Sequence, residues 1–332
     1  MNRHLPAHRT RRHALLGLLA AGALSLAAHP ARAQVAGEKT LRIVLPNAVS
    51  SGVDTITRTA QPALAKALGH PVTVENQPGA GGVLGVQTLA RAAPDGYTLG
   101  VVSNNVVIFP SVIQQLPFDL NTDVVPIAVV GYTPIVLVVN PKVPASNAKE
   151  FVAWLKSRNG EANYASGGNG TILHLASAMF VDEAGVKARH IPYKGVGPML
   201  NDLIGGQVDF ATAALPSVQQ HLRTGALRAI GMGTQQRVAA APEIPTFVEQ
   251  GLPGYVVEAW FAVLGPKGLP PAEVRRIHAA VVTAFADPGV AEAMARQGNV
   301  INVSSPERAQ QFFKDELAKY AKLVKKAGIE AQ

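Results

Sequence analysis

A short apolar run of β type, then a polar or glycine-rich loop, then a helix-length segment: this order recurs along most of the chain. It constrains the fold more than any single motif. Residues 40–45, "TLRIVL", form such a run, followed by "PNAVSSGVD" and a segment from Asp54 onward. There Ile56, Ala60, Leu64 and Leu68 stand at helical spacing, and Gly69 stops them. Pro62 lies inside that segment and predicts an irregular turn. "PVTVEN" and "YTLGVVS" are further strands, with "QPGAGGVLG" opening a helix between them that ends at "APDG". "TPIVLVVN", "ANYAS", "QVDFATA" and "LRAIGMG" continue the β series. Helices are predicted over 146–158 with Ser146 as cap, over 171–182 and over 199–204. Strands separated by helix-length segments imply parallel α/β sheets covered by helices on both faces.

The last part of the chain changes character. Residues 270–285, 289–297 and 305–327 read as helices with little strand between them. The final one carries Ser305 as cap, Pro306 at its first position and Gly328 at its stop. Phe313, Leu317, Tyr320 and Val324 make its apolar stripe. Lys319, Lys322, Lys325 and Lys326 read as a solvated face. No internal repeat or flexible linker separates the halves, which fits two α/β lobes joined by crossing strands.

Charge at first suggests a polyanion partner: the formal net charge is +8. Five arginines lie in residues 1–33 with no acid among them, so without that segment the excess is only about +3. Those residues have the parts of an export signal. A charged start, Arg9 to Arg12, precedes "ALLGLLAAGALSLAA" and the small-x-small site Ala31-Arg32-Ala33, which predicts a mature chain from Gln34. "TRRHALL" also resembles a twin-arginine signal, so the export route stays open between the Sec and twin-arginine pathways. The apolar run is short for a membrane span. A periplasmic location is the expectation, and nucleic acid is not an expected partner. The chain has no cysteine, which excludes thiolate nucleophiles and cysteine metal sites.

Chemistry centres on "NYASGGNGTILHLA", residues 163–176. A phosphate-binding loop would need a lysine that "SGGNGT" lacks, and "GAGGVLG" has Leu84 where a dinucleotide fingerprint needs glycine or alanine. No cofactor is implied. Ser166 as a hydrolase nucleophile would want glycine at 164, where Tyr164 stands, and His174 has no acid near it in sequence. His174, Asp182 and His190 have no recognised metal spacing, so no metal is expected. What remains is a glycine-rich strand-to-helix turn whose N–H groups and dipole suit a small anion, with Ser166, Asn169 and Thr171 as added donors. The loop after the first strand repeats the arrangement. Two ordinary tight turns would look the same.

Several landmarks then appear in one order over the whole mature chain. They are "VENQPGAGG", "AAPDGYTL", "NYASGGNGTILHLA", "IPYKGVGPMLNDLIGGQVDF", "RAIGMGTQQR", "PEIPTFVEQGLPGY" and "AWFAVLGPKGLP". In this the chain resembles the periplasmic receptors of tripartite tricarboxylate transporters, the Bug proteins. The resemblance implies a two-lobed periplasmic-binding-protein fold of flytrap type with the ligand between lobes. It implies a non-catalytic solute-binding protein that captures a small carboxylate and serves membrane transporter subunits or a sensor domain. Carried over, the ligand-binding residues are Asn47, Ala48, Val49, Ser50, Ser51, Gly52 and Asp54 from the first loop. Ser166, Gly167, Gly168, Asn169, Gly170 and Thr171 come from the glycine-rich loop, with His174, Ala213 and Ala214 nearby. The expected lobes are 34–138 with 261–332, and 139–260.

Two departures from the family stand out. Its first loop usually reads Pro-Phe-x-Pro-Gly-Gly-x-x-Asp, and here Ser50 and Ser51 replace the glycine pair. Serine resists positive φ, which predicts a reshaped loop. An Asp-Asn pair common after "QVDF" is replaced by Ala213 and Ala214, which favours a ligand with a less polar distal part. Trp260 and Phe261 are expected where the strands cross, Tyr193 in core or cleft, and Lys194 on an exposed turn. The rival readings are an exported hydrolase using Ser166 or Ser51 with His174, and a receptor used only in signalling.

Overall fold

The computed structural model describes residues 39–329 and 331; the expected export signal lies outside them. In chain order the elements are β1 (Leu41–Leu45), α1 (Gly52–Leu68), β2 (Val72–Asn76), α2 (Val83–Ala90), β3 (Thr98–Ser103) and α3 (Asn105–Val112). Then come β4 (Val124–Val139), α4 (Ala148–Ser157), β5 (Asn163–Ser166), α5 (Ile172–Glu183), β6 (Arg189–Pro192), α6 (Val196–Gly205), β7 (Phe210–Ala214) and α7 (Leu215–Arg223). The chain closes with β8 (Arg228–Met232), β9 (Glu258–Pro266), α8 (Pro271–Phe285), α9 (Pro288–Arg296), β10 (Val300–Ile301) and α10 (Pro306–Lys326). The strand order is β2-β1-β3-β9-β4-β7-β5-β6, with β8 and β10 also pairing β4.

Parallel pairing, as the alternation predicts, joins β1 to β2 and β3, and β5 to β6 and β7. Antiparallel pairing occurs where β4 and β9 cross. β4 is sixteen residues long, and the sequence reading recovered only its second half. Its first half, "VVPIAVVGY", is buried along most of its length. It therefore lacks the alternation that marks a half-exposed strand. From Val124 to Pro134 β4 pairs β9, with register shifts at Pro126/Ala128 and Val129/Gly131. From Ile135 to Val139 it pairs β7. The partner changes between two adjacent residues.

One apolar core lies under α1 and α8, with Ile43, Ile56, Ala60, Phe261, Ile277 and Val281 among its members. A second runs from the other half of β4 through Phe151, Phe180, Phe210 and Phe247. α1 continues through Pro62 without interruption, so the irregularity expected there does not occur. Asn147, not Ser146, caps α4, accepting from the Glu150 N–H at 2.9 Å. Ser146 instead donates through N and Oγ to the Glu150 carboxylate, both at 2.8 Å, which ties the residue before the cap to the first turn. α3 and α7 were not anticipated; α3 is almost wholly buried, which erases its helical period.

α10 has the expected Ser305 cap and first-turn Pro306, but its packing was not legible. Glu316, 6% exposed on its inner face, accepts from Trp260 Nε1 on β9 at 2.6 Å and pairs with Lys319 at 2.9 Å. Beside it Asn104 accepts from the Trp260 N–H at 2.8 Å and donates to the Tyr320 hydroxyl at 2.6 Å. Among the described residues no helix is long and apolar enough to cross a membrane. Trp260→Phe would leave the buried Glu316 carboxylate short of a donor and lower unfolding stability by about 1–3 kcal/mol. Urea denaturation measures this, and Glu316→Gln in the same background should recover part of the loss.

Candidate ligand site

A cavity of about 790 Å³ opens where β4 changes partner. Thr133 and Ile135, on either side of the exchange, both line it, as do Ala214 of β7 and Ala259, Trp260 and Phe261 of β9. A switch of strand partner leaves a crevice that neither sheet fills, which is where open α/β folds bind ligands.

Helix starts converge on this space. Ser51 caps α1 by accepting from the Asp54 N–H. The N–H groups of Gly52 and Val53, in the first turn, have no carbonyl within the helix to bond, and both residues line the cavity. Thr171 caps α5 in the same way, accepting from the His174 N–H. The starts of α6, at Gly195 and Val196, and of α7, at Ala214 and Ser217, also reach the wall. The first turns of α5, α6 and α7 contain no acid. Asp54 in α1 is 3% exposed and already engaged by the Ser50 N–H, Arg58 and Asn76. Among the described lining residues none is acidic, and the exposed Lys194 is the charged one. Several positive helix ends thus face one space that no carboxylate lines.

The two sides approach closely. A Cβ on Gly52 would lie 2.8 Å from the Cβ of Ala214, and one on Gly195 2.7 Å from that of Ala48. Ser217 Oγ donates to the Ser50 carbonyl at 3.1 Å. Ser50 itself holds φ of 67°, a left-handed conformation that the sequence reading expected a serine to resist. The strain, about 1–2 kcal/mol, is offset by its N–H bond to Asp54 at 3.0 Å and by the Ser217 contact.

Under the glycine-rich loop the structure corrects the hydrolase constellation. Ser166 is fully buried and meets His190 Nε2 at 2.6 Å, not His174. Its hydroxyl also donates to the Gly168 carbonyl at 2.9 Å and accepts from the Gly168 N–H at 3.2 Å. His174 Nδ1 accepts from the Gly170 N–H at 3.1 Å, and the two imidazoles stack at 3.6 Å. Among the described residues no acid is hydrogen-bonded to either ring. Serine and histidines brace the loop from behind. Burial pushes His174 down to about 3, aided by the neighbouring His190, and pushes His190 down to about 4.

The expected residues therefore divide into layers. Asn47, Ala48, Ser51, Gly52, Gly167, Gly168, Asn169, Thr171 and Ala214 line the cavity. Asp54, Ser166, Gly170 and His174 stand behind it, while Val49 and Ser50 are exposed outside it. Ala213 is fully buried and, alternating with Ala214 along β7, does not line the cavity. Trp260, Phe261, Tyr193 and Lys194 do. Ser103 and Asn105 also line it and were missed; the signal was present as three polar residues inside the apolar run "LGVVSNNVVIF". Among the described residues no cluster of acids and histidines suits a metal ion.

Since both histidines are held neutral below their ordinary value near 6.5, their contribution to stability is complete above that pH. It is lost as pH falls towards 4 and then 3. The melting temperature should drop by several degrees between about pH 7 and about pH 4.5, and His190→Gln should flatten that slope. Scanning calorimetry across a pH series checks it.

Residues 56–329 match the family described as the tripartite tricarboxylate transporter family receptor. Protein BugT of Bordetella pertussis is 34% identical over 321 residues, covering 96% of this chain and 98% of BugT. MatC of Rhodopseudomonas palustris, solved with malate, superposes with a TM-score of 0.81 at 29% identity, covering 86% of this chain and 98% of MatC. A second R. palustris protein, solved with adipate, gives 0.85 at 26%, covering 88% of this chain and 98% of its own. Over nearly its whole described length, then, the chain is a member of the tripartite tricarboxylate transporter receptor family, a two-lobed solute-binding protein.

Proposed function

We propose that this receptor captures a small carboxylate in the periplasm, holds it between its lobes and releases it to a membrane partner without making or breaking bonds. The observation that carries the reading is the convergence of the α1, α5, α6 and α7 starts on a cavity lined by no acid. Backbone N–H groups and helix dipoles hold a carboxylate without a buried cation. Malate and adipate in the two R. palustris neighbours are carboxylates of this kind. The leader-like residues 1–33 support export.

The lobes are 34–138 with 261–332, and 139–260, meeting where β4 and β9 cross. Contacts across the cleft, Ser217 to Ser50 and Gly52 to Ala214, are those a closed state would use. A ligand favours closure only by binding that state better. Membrane subunits of the transporter, or a sensor domain, read the closed form. Micromolar affinity would require about 8 kcal/mol net, within reach of several amide and hydroxyl donors plus apolar contact.

Thermal-shift measurements on the chain from Gln34, with a panel of carboxylates and their matched neutral amides, test the function. An acid that raises the melting temperature with concentration while its amide stays silent is the expected result. No response to any acid would overturn it. Gly52→Ala should weaken binding of the same acid by roughly tenfold, because the added methyl props the cleft against Ala214. Ala214→Gly in that background should restore affinity, which calorimetric titration would report.

A further inference from the structure

Ser103 ends β3 and Asn105 begins α3, so the polar triplet 103–105 straddles a strand-to-helix junction at the cavity wall. Its middle member is fully used by packing. Asn104 accepts from the Trp260 N–H and donates to the Glu258 carbonyl and the Tyr320 hydroxyl. The outer two differ. Ser103 is 4% and Asn105 8% exposed, and both line the cavity. Among the described residues Ser103 Oγ has no hydrogen-bond partner, although Ser103 lies in the β3–β9 ladder opposite Phe261. Asn105 Oδ1 accepts from the Ile172 N–H at 2.8 Å. That bond fixes the amide and leaves Nδ2 as a donor with no protein partner.

Both groups reach the cavity surface without a protein partner, so a ligand entering that space meets them directly. Their surroundings define what they accept. Val112, Ile113 and Phe261 are among the apolar residues of this lobe's share of the wall, with Trp260 next to Phe261 on β9, and the charged lining residue, Lys194, belongs to an exposed turn of the other lobe. A hydroxyl and an amide satisfy an oxygen acceptor well. They do not compensate a second full charge taken out of water. Asn105 also occupies Ile172's N–H, one of the donors the α5 start would otherwise offer an anion.

Resting on the carboxylate reading above, we propose that Ser103 Oγ and Asn105 Nδ2 form a second, neutral subsite in the same cavity. The preferred ligand is a monocarboxylate whose remaining body is apolar and carries an uncharged oxygen acceptor, such as an amide carbonyl or a hydroxyl. The helix ends take the carboxylate. The 103/105 pair selects what is attached to it.

A six-carbon series tests this, its chain being that of the adipate held by the R. palustris neighbour. Calorimetric titration of the chain from Gln34 with hexanoate, 6-hydroxyhexanoate, the monoamide of adipic acid and adipate compares an apolar, two neutral and one charged end. The neutral-ended acids should bind tightest. Ser103→Ala should weaken them by about five- to tenfold and leave hexanoate unchanged. Asn105→Asp keeps the acceptor for Ile172 but reverses the free end, and should weaken the monoamide by at least about tenfold. Adipate binding tighter than both neutral-ended acids would overturn the subsite while leaving carboxylate capture intact. Equal weakening of hexanoate and the monoamide by Ser103→Ala would overturn it too. Failure of all four acids, and of their shorter and longer homologues, to bind would bring down the carboxylate reading and the subsite together.

Discussion

The exchange of partners by β4 is the constraint on which the rest depends. A strand must satisfy its N–H and C=O groups on both edges along its whole length when it is buried. β4 does so with β9 and β10 in its first half and with β7 and β8 in its second. The change at Pro134/Ile135 makes one strand the partner of both β9 and β7. It also lies at the cavity, which Thr133, Ile135 and Ala259 line.

Above the crossing, α10 is tied by Trp260, Glu316, Asn104 and Tyr320. These groups are buried, so each bond matters more than a surface pair of equal length. Trp260 has the cavity on one side and Glu316 on the other. The floor of the ligand site and the C-terminal helix are therefore one packed assembly. On the ligand side the field comes from helix ends and not from a buried cation. Such a field demands a negative charge but is undemanding about the rest of the molecule. Discrimination then falls to the walls, where Ser103 and Asn105 are neutral donors set among Val112, Ile113, Trp260 and Phe261.

Much was legible in the chain itself. The alternation of strand and helix, the α1 stripe of Ile56, Ala60, Leu64 and Leu68, the Ser305 cap and the two glycine- or serine-rich loops are all local patterns. They survive because backbone conformation and one-sided burial repeat with short periods. The ordered landmarks pointed to the family. What failed was equally systematic. The first half of β4 and all of α3 are buried on nearly every side, so no period remains to read. Ser50 takes a left-handed conformation that a serine avoids in isolation, held there by Asp54 and Ser217.

The sequence by itself determined those strands and helices that keep one face exposed, the two small-residue loops that open helices, and which chemistries lack their residues. Tertiary structure alone decided that Ser166 meets His190 and not His174, that Ala214 faces the cavity while Ala213 does not, and that Ser103 and Asn105 face it unpartnered. The division follows from range. Local patterns are set by neighbours a few residues away, whereas a partner 24 or 67 positions distant, as for His190 and Ile172, is chosen only when the sheets close and bring the loops together.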